Sequence, residues 1–159
     1  LFPMSDQPAV EAPKSAQLSV VSQYVSELSF DNAAAKERKN PESTPQITVN
    51  VGVDASNAGE DRFRVSLRIE VTAATDTSKV FSVTLAYVGV FSLKNVPENA
   101  EQAVLLIECP RLLFPFARRI VADTTRDGGY PPLMLDPVDF AALYRQRAAE
   151  AAATSDTVN

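Results

Sequence analysis

The stretch RFRVSLRIEVTAATDTSKVFSVTLAYVGVF, residues 62–91, decides the fold. In its first half Phe63, Val65, Leu67, Ile69 and Val71 share one face, while Arg62, Arg64, Ser66, Arg68 and Glu70 share the other. That is the period of an antiparallel strand buried on one side. After the polar turn AATDTSK, the run Val80 to Phe91 alternates again, now apolar on both sides. Phe81, Val83, Leu85, Tyr87 and Phe91 oppose Val80, Ala86, Val88 and Val90, with Ser82 and Thr84 among the latter. A sheet carrying helices on one side leaves its second face wet, so an apolar second face predicts a subunit interface or a ligand surface.

Working upstream, Ile47, Val49, Val51 and Val53 alternate with Thr48, Asn50 and Gly52, and DASNAGED (54–61) reads as the hairpin turn into the next strand. The segment Leu18 to Phe30 fits two periods. Val20, Val21, Tyr24, Val25 and Leu28 suit a helix, whereas Leu18, Val20, Tyr24, Leu28 and Phe30 suit a strand; the β-branched and aromatic content favours the strand. Residues 31–46 (DNAAAKERKNPESTPQ) lack any large apolar side chain and read as a long surface connection, a kind that is often functional.

Downstream, Ala100, Ala103, Val104 and Ile107 have helical spacing, which Pro110 and Pro115 interrupt. Leu112, Leu113, Phe116, Ile120 and Val121 continue the stripe, so one bent helix is predicted, ending at Asp127-Gly128-Gly129. Tyr130 to Leu135 reads as an extended connector. Asp136 followed by Pro137 predicts a helix start, with Asp139 in its first turn and Phe140, Leu143, Tyr144 and Arg147 on a short amphipathic helix. The order is strands, then helices. An α+β domain follows: a four-stranded antiparallel sheet with two main helices packed on one side. Residues 1–17 read as a flexible N-terminal arm, 18–147 as the domain, and 148–159 as a flexible C-terminal tail whose first half extends a helix. Leu1-Phe2-Pro3 precede Met4, the expected natural start.

Composition excludes much chemistry. The chain has 159 residues, enough for one domain, with 45% hydrophobic and 22% charged residues, so it is expected to fold. Fifteen Lys+Arg against twenty Asp+Glu give a net charge of -5, which disfavours nucleic acid as a partner. There is no histidine and Cys109 is the single cysteine, which excludes His-dependent triads, a structural zinc and an intramolecular disulfide. No apolar run is long enough to cross a membrane and no signal peptide is visible, so a cytoplasmic setting without membrane insertion is expected. Asp136 and Asp139 read as capping carboxylates, Cys109 as a buried structural thiol, Gly128-Gly129 as a turn, and Arg118-Arg119 as a solvated or interface helix face. No Walker-type or GxGxxG motif occurs. No catalytic site, metal site or cofactor is predicted. Surplus apolar surface is what remains, for self-association or for binding apolar segments of other proteins.

The strings GVFSL (89–93), LLIECPRLLFPFAR (105–118) and DGGYPPLMLDPVDFAALYRQ (127–146) resemble the SecB protein-export chaperones. That resemblance implies an ATP-independent holdase, assembled as a homotetrameric dimer of dimers, that keeps unfolded precursor proteins translocation-competent and delivers them to the SecA ATPase. It further implies a tetramer interface at Val83, Leu85, Tyr87, Leu112, Phe114, Phe116 and Arg118. An apolar client groove is implied at Ile47, Val49, Val51, Leu133, Phe140, Leu143 and Tyr144, and SecA docking at Glu27 and Asp31. The chain departs from the SecB pattern in having Ser82-Val83-Thr84 where a further carboxylate is usual, and in lacking the aromatic residue often found in the crossover connection. A SecB-like chaperone dedicated to one partner, such as an antitoxin, and an oligomeric module for a small apolar ligand are the alternative readings.

Overall fold

The computed structural model describes residues 15–37 and 43–156, the last three without their side chains. Residues 1–14, most of the expected arm, and 38–42 of the long connection lie outside the described residues. The elements are β1 (Gln17–Asp31), a short helix α1 (Ala33–Lys36), β2 (Gln46–Gly59), β3 (Arg62–Ala74), β4 (Lys79–Lys94), α2 (Glu98–Ala103), one turn of π-helix (Val104–Glu108), α3 (Cys109–Asp127) and α4 (Phe140–Asp156). The strands form one antiparallel sheet in the order β1-β4-β3-β2. The α+β architecture expected from the sequence is the one observed.

β1 is a strand, and its register explains its ambiguous spacing. It pairs with β4 but carries irregularities between Val20 and Ser22 and between Val25 and Glu27. Each inserts one extra residue and shifts the alternation. Two such shifts turn a period of two into the helix-like spacing Val20, Val21, Tyr24, Val25, Leu28.

The β2–β3 hairpin corrects the expected turn. DASNAGED is not a loop: β2 continues through Gly59, and only Glu60 and Asp61 turn the chain. Asp61 (φ 55°) takes the left-handed backbone within this two-residue turn, and Gly59 (φ 134°) closes the irregularity after Asn57 that leads into it. The polar residues of 54–58 are strand residues with solvated side chains, which is why composition alone misplaces them.

The helices lie on one face of the sheet. Cys109, Leu113, Ala117, Val121 and Thr125, four apart, form the buried stripe of α3, so of the stripe expected from spacing only Leu113 and Val121 face the sheet, while Leu112 and Phe116 are exposed. It settles on β4 where Gly89 removes an obstacle: a Cβ there would stand 2.8 Å from Leu113 Cδ2 and 2.6 Å from the Phe91 ring. Pro110 cannot donate to the Leu106 carbonyl and its ring crowds that group; the π turn of Val104–Glu108 accommodates this, so the expected bend is a widened turn between α2 and α3. Pro115 lies inside α3, which continues past it. Cys109 is fully buried, and burial, helped by Glu108, pushes its thiol up to about 12.

Two further expectations change. α4 begins at Phe140 rather than beside Asp136, because Asp139 is the residue whose carboxylate accepts the Ala142 N–H at 3.0 Å. The helix expected to extend into the first half of 148–159 does so, and runs on through Asp156. The second face of β4 is not an open apolar patch either. Ala86 lies between Glu27 and Arg68, and Val88 between Tyr24 and Ser66. Ala86 and Val88 are buried within the single chain, with the long side chains of Glu27 and Arg68 flanking Ala86 and Tyr24 flanking Val88.

Candidate functional site

Three surfaces carry the residues singled out from the sequence. The first lies along β2. Ile47 and Val49 point to the helix side of the sheet yet remain over 40% exposed, while Val51 and Val53 further along are progressively covered. Covering begins where Arg147 of α4 reaches across, its Nη1 donating to the Val53 carbonyl at 2.6 Å. Beside this tie is a cavity of about 200 Å³ lined by Val53, Leu106, Leu143, Tyr144, Arg147 and Ala148. Ile47, Val49, Val51, Leu143 and Tyr144 therefore belong to one apolar strip that passes from an open strand edge into a recess under α4. Leu133 is half-buried on the connector. Phe140 is 1% exposed and packs edge-on against Phe114, so it supports the strip from within the core and cannot itself line an open groove.

The second surface is the outer ridge of α3. Leu112 and Phe116, one turn apart, are both more than 40% exposed, and the Phe116 ring stacks on Tyr87 at 6.2 Å. On the same face β1 leaves Val20, Val25 and Leu28 exposed, while Tyr24, paired with Val88, is exposed on the opposite face. Sequence reasoning did not single out these β1 residues as surface, because the two competing periods of the segment left their face undetermined. Arg118 is half-buried, and its Nε is enclosed with no hydrogen-bond partner within the described residues. Val83 and Leu85, expected at a subunit interface, are fully buried in the core of the single chain. They can act on an interface only by supporting α3 from beneath. Phe114 is also partly buried, against Phe140.

The third surface is the face of the sheet turned away from the helices. Arg68 on β3 bridges two carboxylates, Glu27 of β1 at 3.1 Å and Glu70 of its own strand at 3.0 Å. Asp31, at the end of β1, meets Lys36 at 2.9 Å and Lys79 at 3.5 Å. The Lys36 ammonium, first by its hydrogen bond and then by its charge, holds the Asp31 carboxyl below the ordinary carboxylate range. Glu70 pairs in register with Thr84. The β4 position that lacks a carboxylate thus has one beside it on β3, and the sequence pattern did not reveal that Arg68 would be shared.

None of these surfaces assembles an acid, a base and a nucleophile, and among the described residues no group of three or more acidic or thiol side chains could hold a metal ion. No helix among the described residues is long and apolar enough to cross a membrane.

The profile of the preprotein translocase subunit SecB matches residues 11–151. The chain belongs to the SecB family. It is 51% identical to the protein-export protein SecB of Maricaulis maris, over 95% of this chain and 87% of that one. It is 47% identical to the same protein of Afipia carboxidovorans, over 94% of each. A Bradyrhizobium SecB is 52% identical over 86% of this chain and 85% of its own. Among solved structures, the fold is similar to a Mycobacterium tuberculosis SecB-like chaperone in complex with a ChAD peptide from the HigA1 antitoxin. That likeness has a TM-score of 0.64 and 14% identity, covering 76% of this chain and 90% of that one, and shows the fold alone. This SecB-family chain is a chaperone of protein export. The antitoxin-dedicated alternative is not favoured, because the relatives at about half identity are export proteins.

Proposed function

We propose that this SecB chaperone holds unfolded precursor proteins without nucleotide, by laying their apolar segments along the β2–α4 strip, and passes them to SecA in the cytoplasm. The observation that carries this reading is the pair Ile47 and Val49, apolar side chains of a long strand that the folded protomer leaves uncovered next to an apolar recess. Their Cβ atoms keep the strand alternation, so an extended client could pair its own alternate apolar side chains with them. Covering about 400 Å² of client apolar surface at about 25 cal/mol/Å² contributes near 10 kcal/mol gross, most of which ordering the client cancels. Several such contacts along one client raise the affinity again. A broad client range follows, since apolar area carries no sequence code.

The assembly proposed is a dimer of dimers in which Leu112, Phe116, Tyr87 and Arg118 meet a neighbouring subunit. Exposed aromatic and aliphatic side chains on one helix ridge, beside an enclosed and unpartnered guanidinium nitrogen, support that reading. SecA docking is proposed at Glu27 and Asp31 on the outer sheet face, where Glu70 adds a carboxylate near the position that β4 leaves neutral. Each of these carboxylates is already paired within the chain, so docking here competes with Arg68, Lys36 and Lys79.

The test is light scattering of a chemically unfolded secretory precursor diluted into buffer with a near-stoichiometric amount of the chaperone and no nucleotide. Suppressed aggregation, lost when Val49 is replaced by Asp in a still-folded protein, is the expected result. Unchanged aggregation in the presence of the folded wild type would overturn the holdase reading.

A further inference from the structure

Two irregular segments meet at the Asp31 end of the sheet: the start of the β1–β2 connection and the connector between α3 and α4. One side chain joins them. Asn32 follows the last residue of β1; its Nδ2 donates to the Gly128 carbonyl at 3.0 Å, and its Oδ1 accepts from the Tyr130 hydroxyl. Both ends of the amide are used, across a sequence separation of nearly the whole domain. The ring of Tyr130 lies 4.7 Å from that of Phe81, and Phe81 lies 6.0 Å from Phe30. Gly128 permits this closeness: a Cβ there would stand 2.4 Å from the Phe30 ring. On one side of the tie, α1 rests on its buried Ala34. On the other, the connector runs through Leu133, whose N–H donates to the Thr125 hydroxyl at 2.9 Å, to the buried Leu135 and on to α4.

The packed rings, tilted against one another, would keep Tyr130 in place without its hydroxyl. What the two hydrogen bonds add is direction and length, because such bonds weaken steeply with distance and angle. They fix one backbone segment against the other, where ring packing alone lets them slide.

We propose that Asn32 and Tyr130 are positioning residues of the client strip, locking the β1–β2 connection to the α3–α4 connector and so setting how firmly an apolar segment is held. This rests on the holdase reading above. Neither residue touches the client; both act through the segments they join.

The experiment compares wild type with Tyr130→Phe, Asn32→Ala and the double variant, using a short fluorescein-labelled unstructured peptide rich in Leu and Phe. Peptide dissociation is expected to be about fivefold to tenfold faster in each single variant. The double variant is expected to be no faster than Asn32→Ala, which already removes both hydrogen bonds of the tie. Amide exchange of residues 33–37 and of Tyr130, Leu133, Met134 and Leu135 is expected to quicken in the free protein while the melting temperature shifts little. Asn32→Asp, which keeps the acceptor for Tyr130 and loses the donor to Gly128, is expected to fall between. Unchanged exchange in Tyr130→Phe overturns the clamp itself, and additive effects in the double variant overturn the pairing. Quickened exchange with wild-type dissociation overturns its role in holding clients. Val49→Asp in the same assay separates the two readings. If it binds peptide as wild type does, the strip and the clamp's purpose fall together; if it loses the peptide while the clamp variants behave as wild type, only the clamp falls.

Discussion

The central and edge strands of this sheet carry the same kind of side chain and meet opposite fates. Val65, Leu67, Ile69 and Val71 of β3 are at most 1% exposed, whereas Ile47 and Val49 of β2 and Val20, Val25 and Leu28 of β1 are each above 40%. The difference is geometric. A helix is about 10 Å across and strands lie about 4.8 Å apart, so one helix layer covers about two strands. α3 takes β3 and β4, and both edges remain dry-faced but uncovered. Identical alternation thus builds a core in the middle and a binding or assembly surface at the rims.

That contrast breaks most visibly in stability. Leu67→Ala should cost about 2–5 kcal/mol in urea unfolding, while Val49→Ala should cost under about 1 kcal/mol, since half its side chain is already in water. Equal losses would mean the edge is as buried as the centre in solution. Assembly sharpens it next. With the α3 ridge in the proposed subunit interface, Phe116→Asp should lower the solution mass in light scattering with little change in secondary structure; Phe114→Asp is the poorer test because Phe114 also packs on the buried Phe140. An unchanged mass would remove the α3 ridge from the interface.

Smaller effects follow on the covered side and on the outer face. Cys109, buried against the centre of the sheet with its thiol raised to about 12 from 9.0, should resist a thiol reagent at pH 8 until denaturant unfolds the chain. The unfolded thiol ionises first, so this group's contribution to stability declines as pH rises past about 9. Rapid labelling of the native protein would place Cys109 outside the core. Smallest is Arg68→Ala, which frees Glu27 and Glu70: SecA binding at low salt should tighten a few-fold and weaken as salt screens it. A loss of binding instead would make the arginine, not the carboxylates, the docking group.

How much of this was legible depends on the range of the interaction. The two central strands, the hairpin order and the helical state of α3 follow from spacing between near neighbours, but the phase of α3 does not: small Ala117 and Thr125 face the sheet while Leu112 and Phe116 face out. Asp139 rather than Asp136 caps α4, because which carboxylate meets an N–H depends on where the connector ends. DASNAGED reads as a turn by composition and extends as strand because β3 offers it partners. The phase of β1 is illegible without β4, whose register reveals where the two extra residues sit. Of the apolar residues singled out, Ile47 and Val49 lie exposed and Leu143 and Tyr144 line the recess under α4, while Phe140, Val83 and Leu85 have the same apolar chemistry and lie inside.

By itself the sequence determined which residues are apolar and with what period, because pleat and helix pitch are local properties of the backbone. Only the tertiary structure decided which of those apolar faces stay open, because coverage depends on the width of one helix laid on four strands. It alone also brought Arg68 to Glu27 and Asn32 to Tyr130. Those pairs join residues far apart in the chain, and no local pattern encodes their meeting.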